Sequence, residues 1–446
     1  MTVATVATGL AAGVLGAALT LLLHALQHLL FGYTEGNFLI GVEHAGPARR
    51  VLALAGTGVV VGAAWWLTRQ IFSRESVSVV GTLRRPRPQL PVVATLVDAV
   101  VQIAAVAGGA SLGREGAPRQ AGALAGGQLA QRLGLDADQQ RVLLACGAGA
   151  GLAAVYDVPL GGAAFALEVL LATLGLRALV PALVTSGLAA LVGQVVLRDG
   201  PTYRVPHLDF SGRLLAWAPL LGAVAGVLGV AFTRLMTFAR EHAPTGWRVA
   251  VAVPVAFAAV GALAVAYPQL PGNGKGPAGL AFDATIGLGL ATVLLVLKPL
   301  VTAACLGAGA IGGVLTPALA TGALLGAVAA QVTERVWPGE PAVAFAVVGA
   351  AAVLAVTQRA PVTAVLLTLE LVGGGYAPHG ALVLIVPMAV AVAVAAVVGA
   401  VLGERGALVS ATAAVLHCDA DPVGPSRHAG PESRTSGPTA GERGRT

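Results

Sequence analysis

Apolar stretches of roughly 20 residues recur along this chain from end to end, and a polypeptide patterned this way has few stable options outside a lipid bilayer. Examples run over 51–67, 214–232, 249–267, 284–306 and 381–402, each about the length a helix needs to cross a hydrocarbon core. Of the 446 residues, 56% are hydrophobic and 11% charged. The pattern predicts an all-α polytopic membrane protein. Aromatic residues make up 4%, too few for a membrane β-barrel with aromatic girdles. A further apolar run, Val3–Leu23, has no Lys or Arg ahead of it and reads as a first membrane helix, since a cleaved leader carries basic residues there. No hydrophilic stretch is long enough for a separate soluble domain, so one membrane domain is expected over 1–415. The tail 416–446, rich in Gly, Pro, Ser, Arg and Glu, buries too little apolar surface to order itself and is expected to be disordered.

The formal net charge of +6 reports topology. Its arginines gather between apolar runs, most densely as Arg69, Arg74, Arg84, Arg85 and Arg87, which by the positive-inside bias puts that segment in the cytoplasm. Both termini, the tail included, are expected there too, with the protein in the plasma membrane. No basic face interleaved with aromatics points to nucleic acid. Cys146, Cys305 and Cys418 lack metal-ligand spacing and are assigned no chemistry. His24 and His28 share a helical face but have no third ligand near them, so they read as an interfacial helix end. No metal or cofactor is expected.

The chain repeats itself. Pro159 to Glu168 and Pro361 to Glu370 both run from proline through nine positions to glutamate, about 200 residues apart. Each follows a glycine- and proline-punctuated turn, Gly113–Pro118 in the first case and Gly312–Pro317 in the second. Two related halves result, about 1–210 and 211–415, and repeats of this kind in transporters are usually inverted, with a site where partly spanning helices from both halves meet. Glycines concentrate there, at 107–116, 147–151 and 307–313; for 147–151 the alternative is close helix packing through small residues. A helix that starts in mid-membrane leaves its first N–H groups unpaired and carries positive partial charge, which suits an anion. Pro118 and Pro317 fit such first turns. An intramembrane carboxylate, here Glu115 beside Arg114, is a functional residue by default; the alternative is a salt bridge between the two.

Gly113-Arg114-Glu115-Gly116, the stretch Gly151-Leu152-Ala153-Ala154-Val155-Tyr156-Asp157-Val158-Pro159 running on to Glu168, and Gly312-Gly313-Val314-Leu315-Thr316-Pro317 together resemble the CLC chloride channels and proton/chloride antiporters, over about residues 70 to 412. The resemblance implies two inverted halves and a homodimer with a separate pore in each subunit. It makes Glu115 the gate: ionised, it occupies an anion site and blocks the pore; protonated or displaced, it swings away. Gly113, Arg114, Gly116, Val314 and Leu315 become the anion-binding candidates, with the amides of Val314 and Leu315 reaching the anion from the second half. Leu315 stands where the family often has phenylalanine.

Three positions depart from the family pattern. The internal proton-transfer glutamate is replaced by Val169, which argues for a passive channel. The central-site tyrosine falls on Val409. The inner serine has no recognisable turn, and Ser73 or Ser76 is nearest in separation. Asp98, 17 residues before Glu115 with Gln102 one turn further on the same helical face, reads either as a proton relay from inside or as an interfacial helix cap near Pro91. The function expected is therefore transport of chloride or a similar small anion by a glutamate-gated pore, leaning to a channel, with a proton/chloride antiporter as the alternative. A carrier for an organic anion is more distant, because the motif regions offer few polar groups for a larger substrate. An enzyme is not expected: Gly272-Asn273-Gly274-Lys275-Gly276 lacks the Ser or Thr and the preceding strand of a phosphate loop and reads as a connection between membrane segments.

Overall fold

The computed structural model describes residues 1–72, 78–197, 202–203, 205–206, 208, 211–339, 341–373 and 382–418, with only the backbone at 382 and over 404–418. Ser73, Ser76 and the tail beyond 418 lie outside the described residues, as does the side chain of Val409. The described residues are helical: α1 Thr2–Phe31, α2 Phe38–His44, α3 Pro47–Ile71, α4 Val79–Leu83, α5 Val92–Ala107, α6 Gly116–Arg132, α7 Ala137–Tyr156, α8 Pro159–Ala164, α9 Leu176–Leu197, α10 Gly212–Glu241, α11 Val249–Ala266, α12 Lys275–Phe282, α13 Leu288–Gly307, α14 Leu315–Thr333, α15 Ala342–Gln358, α16 Pro361–Gly373 and α17 Ile385–Cys418. A π-helical turn, Phe165–Leu171, extends α8. Eight of the helices are long and apolar enough to cross a membrane, and the chain is an integral membrane protein. Residues Met1–Leu402 form one compact unit.

The halves repeat element by element. Each opens on a 30-residue helix, α1 or α10, about 45 Å long and so tilted across a hydrocarbon layer of about 30 Å. Each then reaches a turn that interrupts the path, after α5 in one half and after α13 in the other. The turns hold Gly109 at φ +103° and Gly309 at φ +95°, a backbone region that a side chain would strain. Beyond them α6 and α14 start afresh, with Pro118 and Pro317 in their first turns.

Among the long helices, α7, α14 and α15 are the most deeply buried. Every residue of α7 from Leu143 to Tyr156 is buried, as is every residue of α15 from Val343 to Ala355. Both are apolar all round, as a helix enclosed by protein must be. Glycines make the enclosure possible: a Cβ at Gly122 of α6 would strike the carbonyl of Gly147 on α7, and one at Gly322 of α14 would strike that of Gly349 on α15. Gly149 and Gly151 likewise abut the carbonyls of Gly162 and Pro118, so the 147–151 glycines serve close packing.

The repeated Pro-to-Glu segments tie the halves together. Glu168 accepts from the N–H groups of Val362 (3.1 Å) and Thr363 (2.6 Å) and from the Thr363 hydroxyl (2.7 Å). Glu370 accepts from the N–H groups of Leu160 (2.8 Å) and Gly161 (2.6 Å). Each glutamate thus caps the helix that opens the other segment, satisfying orphan donors where its negative charge is favoured.

Candidate anion pathway

The two turns meet at a pair of glycines. The N–H of Gly113 donates to the carbonyl of Gly313 at 2.7 Å and the N–H of Gly313 donates back at 3.0 Å, which fixes the starts of α6 and α14 against each other. The residue that opens α6 is a carboxylate: Glu115, two positions after the clasp, occupies the N-cap position. Val314 holds the same place in α14. Glu115 is fully buried and its Oε1 accepts from the N–H of Leu315, the first residue of α14, at 2.8 Å. The Thr316 and Tyr156 hydroxyls lie 3.2 Å and 3.4 Å from its Oε2. A Cβ on Gly113 or Gly313 would collide with the carboxylate, so the two glycines leave the space it fills. Gly113 has its own N–H engaged by Gly313, and Leu315 supplies the backbone donor.

Arg114 does not pair with Glu115. Its Nη2 donates to the Val155 carbonyl at 2.9 Å and its guanidinium lies over the Tyr156 ring, 4.9 Å from the centroid. Adjacent residues at a helix start point apart.

A cavity opens on either side of the carboxylate. One, of about 850 Å³, lies at the arginine-rich end of α3 and is lined by Arg69, Asp98, Gln102, Gly116, Arg119, Gln120, Val169, Arg240 and Gly313. The other, of about 770 Å³, lies toward the start of α3 and is lined by His24, His28, Tyr33, Arg114, Tyr203, Asn273 and Lys275. The end of α1 that lines the second cavity is bonded to Arg49 at the start of α3, so the cavities lie near opposite ends of this 25-residue helix. The sequence had placed His24 and His28 at a helix end; they lie in the last turns of α1, where His28 packs edge-on against Tyr33. The glycine-rich 272–276 segment connects α11 to α12, and Lys298 holds it from beneath through bonds to the Leu270 and Gly272 carbonyls, both 2.7 Å.

Asp98 sits in the second turn of α5, past the N-cap position taken by Pro91, and is 8% exposed. Its Oδ2 accepts from Gln102 Nε2 at 2.8 Å; the same amide donates to Gln120 Oε1 at 2.9 Å, and the Gln102 carbonyl oxygen lies against Gly116. A polar line therefore leads from Asp98 to the residue after Glu115. Val169 lines the same cavity.

Three residues escaped the sequence reading. Ser78 caps α4 by accepting from the Gly81 N–H at 3.1 Å and lines the larger cavity; its N-cap character, a serine just before Val79, was the available signal. Tyr156 and Thr316 sat inside quoted motifs, and a hydroxyl in so apolar a run was signal enough.

Fold and site define a class: a helical membrane protein whose two inverted halves meet at a buried carboxylate between two cavities. Residues 57–400 match the family model described as voltage gated chloride channel, and the chain belongs to this CLC family. It is 29% identical over 363 residues to the voltage-gated ClC-type chloride channel ClcB of Citrobacter koseri, an alignment covering 78% of this chain and 85% of the relative. It is 30% identical over 317 residues to the H(+)/Cl(-) exchange transporter ClcA of Vibrio campbellii, covering 68% of this chain and 65% of that relative. Among solved structures, a slow cyanobacterial Cl-/H+ antiporter superposes with a TM-score of 0.76 at 23% identity, covering 91% of this chain and 97% of the other. That likeness shows the fold.

Proposed function

We propose that this protein exchanges chloride for protons across the plasma membrane, with Glu115 as the group that alternates between blocking the anion path and carrying a proton. The observation that carries this reading is the Glu115 carboxylate buried between two cavities, accepting from the Leu315 N–H at the start of α14. A carboxylate held there takes the place an anion would take, because the donors and the helix dipole favour either. An open path needs the carboxylate to leave, and protonation lets it leave by removing the charge that the donors hold.

Exchange replaces passive conduction as the main reading. The exchanger of Vibrio campbellii matches this chain at an identity similar to that of the channel of Citrobacter koseri, 30% against 29%, and Asp98 supplies an acid on the cavity that Val169 lines. Asp98 takes protons from the cytoplasmic side and passes them along that cavity toward Gly116 and Glu115, with Gln102 and Gln120 orienting its carboxylate. The arginine segment at the same end of α3 supports a cytoplasmic assignment for this cavity. The anion path runs past Arg119 and Ser78 on that side and past Arg114 on the other; Gly113 and Gly116 act by leaving space, Leu315 by its amide. Each subunit of a homodimer carries its own path. Passive conduction is the second reading, favoured by Val169 where the resemblance calls for an internal glutamate.

The deciding measurement is the reversal potential of purified protein in lipid bilayers under opposed chloride and proton gradients. Exchange gives a potential displaced by the proton gradient in the wild type and returned to the chloride value in Glu115→Gln. A wild-type potential at the chloride equilibrium value, whatever the pH gradient, would establish the channel reading instead. Absence of anion current in both proteins would remove the transport reading altogether.

A further inference from the structure

The Glu115 carboxylate has three donors within reach, and only one of them is backbone. Leu315 N–H serves Oε1, while the hydroxyls of Thr316 and Tyr156 converge on Oε2. The two hydroxyls also touch each other, 2.8 Å apart. Tyr156 is the last residue of α7 and Thr316 the second of α14, so this cluster is assembled from opposite halves of the molecule. Both are nearly inaccessible, 5% and 4% exposed, and a buried hydroxyl must find a partner.

Each hydroxyl has one hydrogen to give. With the carboxylate in place, one hydroxyl donates to the other and the second donates to Oε2. The chain of two hydroxyls therefore ends on whatever negative charge sits between α7 and α14. When the carboxylate withdraws, the terminal hydroxyl hydrogen of this chain and the Leu315 N–H still point at the space it occupied. The Arg114 guanidinium over the Tyr156 ring places positive charge beside the phenol and strengthens its hydroxyl as a donor. The carboxylate and an incoming anion then compete for one donor set.

We propose that Tyr156 and Thr316, with the Leu315 amide, form the donor set of an anion site that Glu115 fills in the closed state, and that the two hydroxyls favour chloride over larger, less hydrated anions such as nitrate. The inference rests on the transport reading given above. Its physical basis is dehydration: a small anion loses more hydration energy on entering an apolar site and depends more on each donor that replaces water. The Leu315 N–H is the one backbone donor at the carboxylate, on its Oε1. At Oε2 the donor is the hydroxyl chain, in which one hydroxyl orients and strengthens the other, and both hydrogens can rotate to follow the anion.

The test measures anion binding by titration calorimetry on the full-length protein in detergent, in a Glu115→Ala parent from which the competing carboxylate is gone. Adding Tyr156→Phe or Thr316→Val is expected to weaken chloride binding about tenfold each, as the loss of a hydrogen bond to a charged group implies, and to weaken nitrate binding less. Thr316→Ser, which keeps the hydroxyl and loses a methyl group, is expected to retain the parent's chloride affinity, a result that packing alone would not give. Chloride affinities within twofold of the parent in both hydroxyl-removing variants would overturn the proposal. Equal losses for chloride and nitrate would overturn its selectivity claim. A Glu115→Ala parent that binds neither anion would overturn the underlying anion-site reading, and the pair's role with it, whereas a parent that binds chloride with hydroxyl variants that match it would overturn the pair's role alone.

Discussion

The turn before α6 and the turn before α14 share a construction and differ in the residue that caps the helix each one opens. Each follows a left-handed glycine, Gly109 or Gly309, clasps the other through Gly113 and Gly313, and starts a helix with proline in its first turn. The N-cap residue then diverges: Glu115 in the first half, Val314 in the second. A symmetric scaffold presents two helix starts, and a single carboxylate crosses from one to the donors of the other. Duplication thus builds the frame, and a break in the symmetry gives the frame a buried charge. A second carboxylate at 314 would put like charges in one buried space, which neither could occupy ionised.

The symmetric part of this comparison is broken most severely at the glycine seams. Gly147→Val and Gly349→Val each drive a side chain into a facing carbonyl, and overpacking of that kind costs about 3 kcal/mol. Both variants are expected to lose most of the monodisperse protein recovered in detergent, and to similar degrees. Wild-type recovery of either by size-exclusion chromatography would contradict the packing role of that seam.

The asymmetric part is sharpened by Gly313→Ala. Neither Gly113 nor Gly313 is among the positive-φ residues, so the added methyl acts by its volume, and that volume lies where the Glu115 carboxylate sits. Displacement of the carboxylate is expected to raise chloride efflux from vesicles by about tenfold at alkaline pH, on the scale of losing one charge-assisted hydrogen bond. Efflux equal to wild type would show that the carboxylate at this position does not limit the path. The functional counterpart is Asp98→Asn: proton flux is expected to fall by about tenfold or more, as for a lost proton-transfer group, with chloride flux still measurable. Proton flux equal to wild type would end the relay assignment.

Much of this was legible before the structure. The apolar runs placed α3, α11 and α13 to within about four residues at each end, and the start but not the end of α10, because a membrane imposes a length on its helices. The turns at 113–118 and 312–317 were legible because glycine and proline mark backbone that side chains exclude. What was not legible depends on which residues the fold brings together. The sequence showed Glu168 and Glu370 as a repeated position, but nothing local says that each caps the other's segment. Ser78 was passed over in favour of Ser73 and Ser76, since separation from Glu115 was weighed above N-cap character. Tyr156 and Thr316 lie 160 positions apart, and their hydroxyls become a pair only through the meeting of α7 and α14.

The reciprocal caps give a finer test of symmetry. Glu168→Gln and Glu370→Gln remove the charge from each set of bonds while leaving one acceptor oxygen, and each is expected to cost about 1–2 kcal/mol in detergent-unfolding experiments. Glu168 has the additional Thr363 hydroxyl, so its substitution is expected to cost more. Equal losses would mean that this hydroxyl adds nothing to the cap.

The smallest expected effect comes where the halves match in shape but differ in residue. Asp157 ends α7 at φ +57° and Arg359 ends α15 at φ +53°, both left-handed. Asp157 is helped by Gln194, whose Nε2 donates to its Oδ1 at 2.8 Å, and aspartate tolerates this region better than most residues. Arg359 is exposed and is not such a residue. Replacing it by glycine relieves about 1 kcal/mol of backbone strain and costs about 0.5 kcal/mol in the freedom of the unfolded chain. Arg359→Gly is thus expected to stabilise the protein by about 0.5 kcal/mol, while Asp157→Gly, which also loses the Gln194 bond, is expected to be neutral or destabilising. Thermal unfolding of the two variants side by side reads the sign directly: a stabilised Asp157→Gly would mean that the Gln194 bond contributes less than the strain it accompanies.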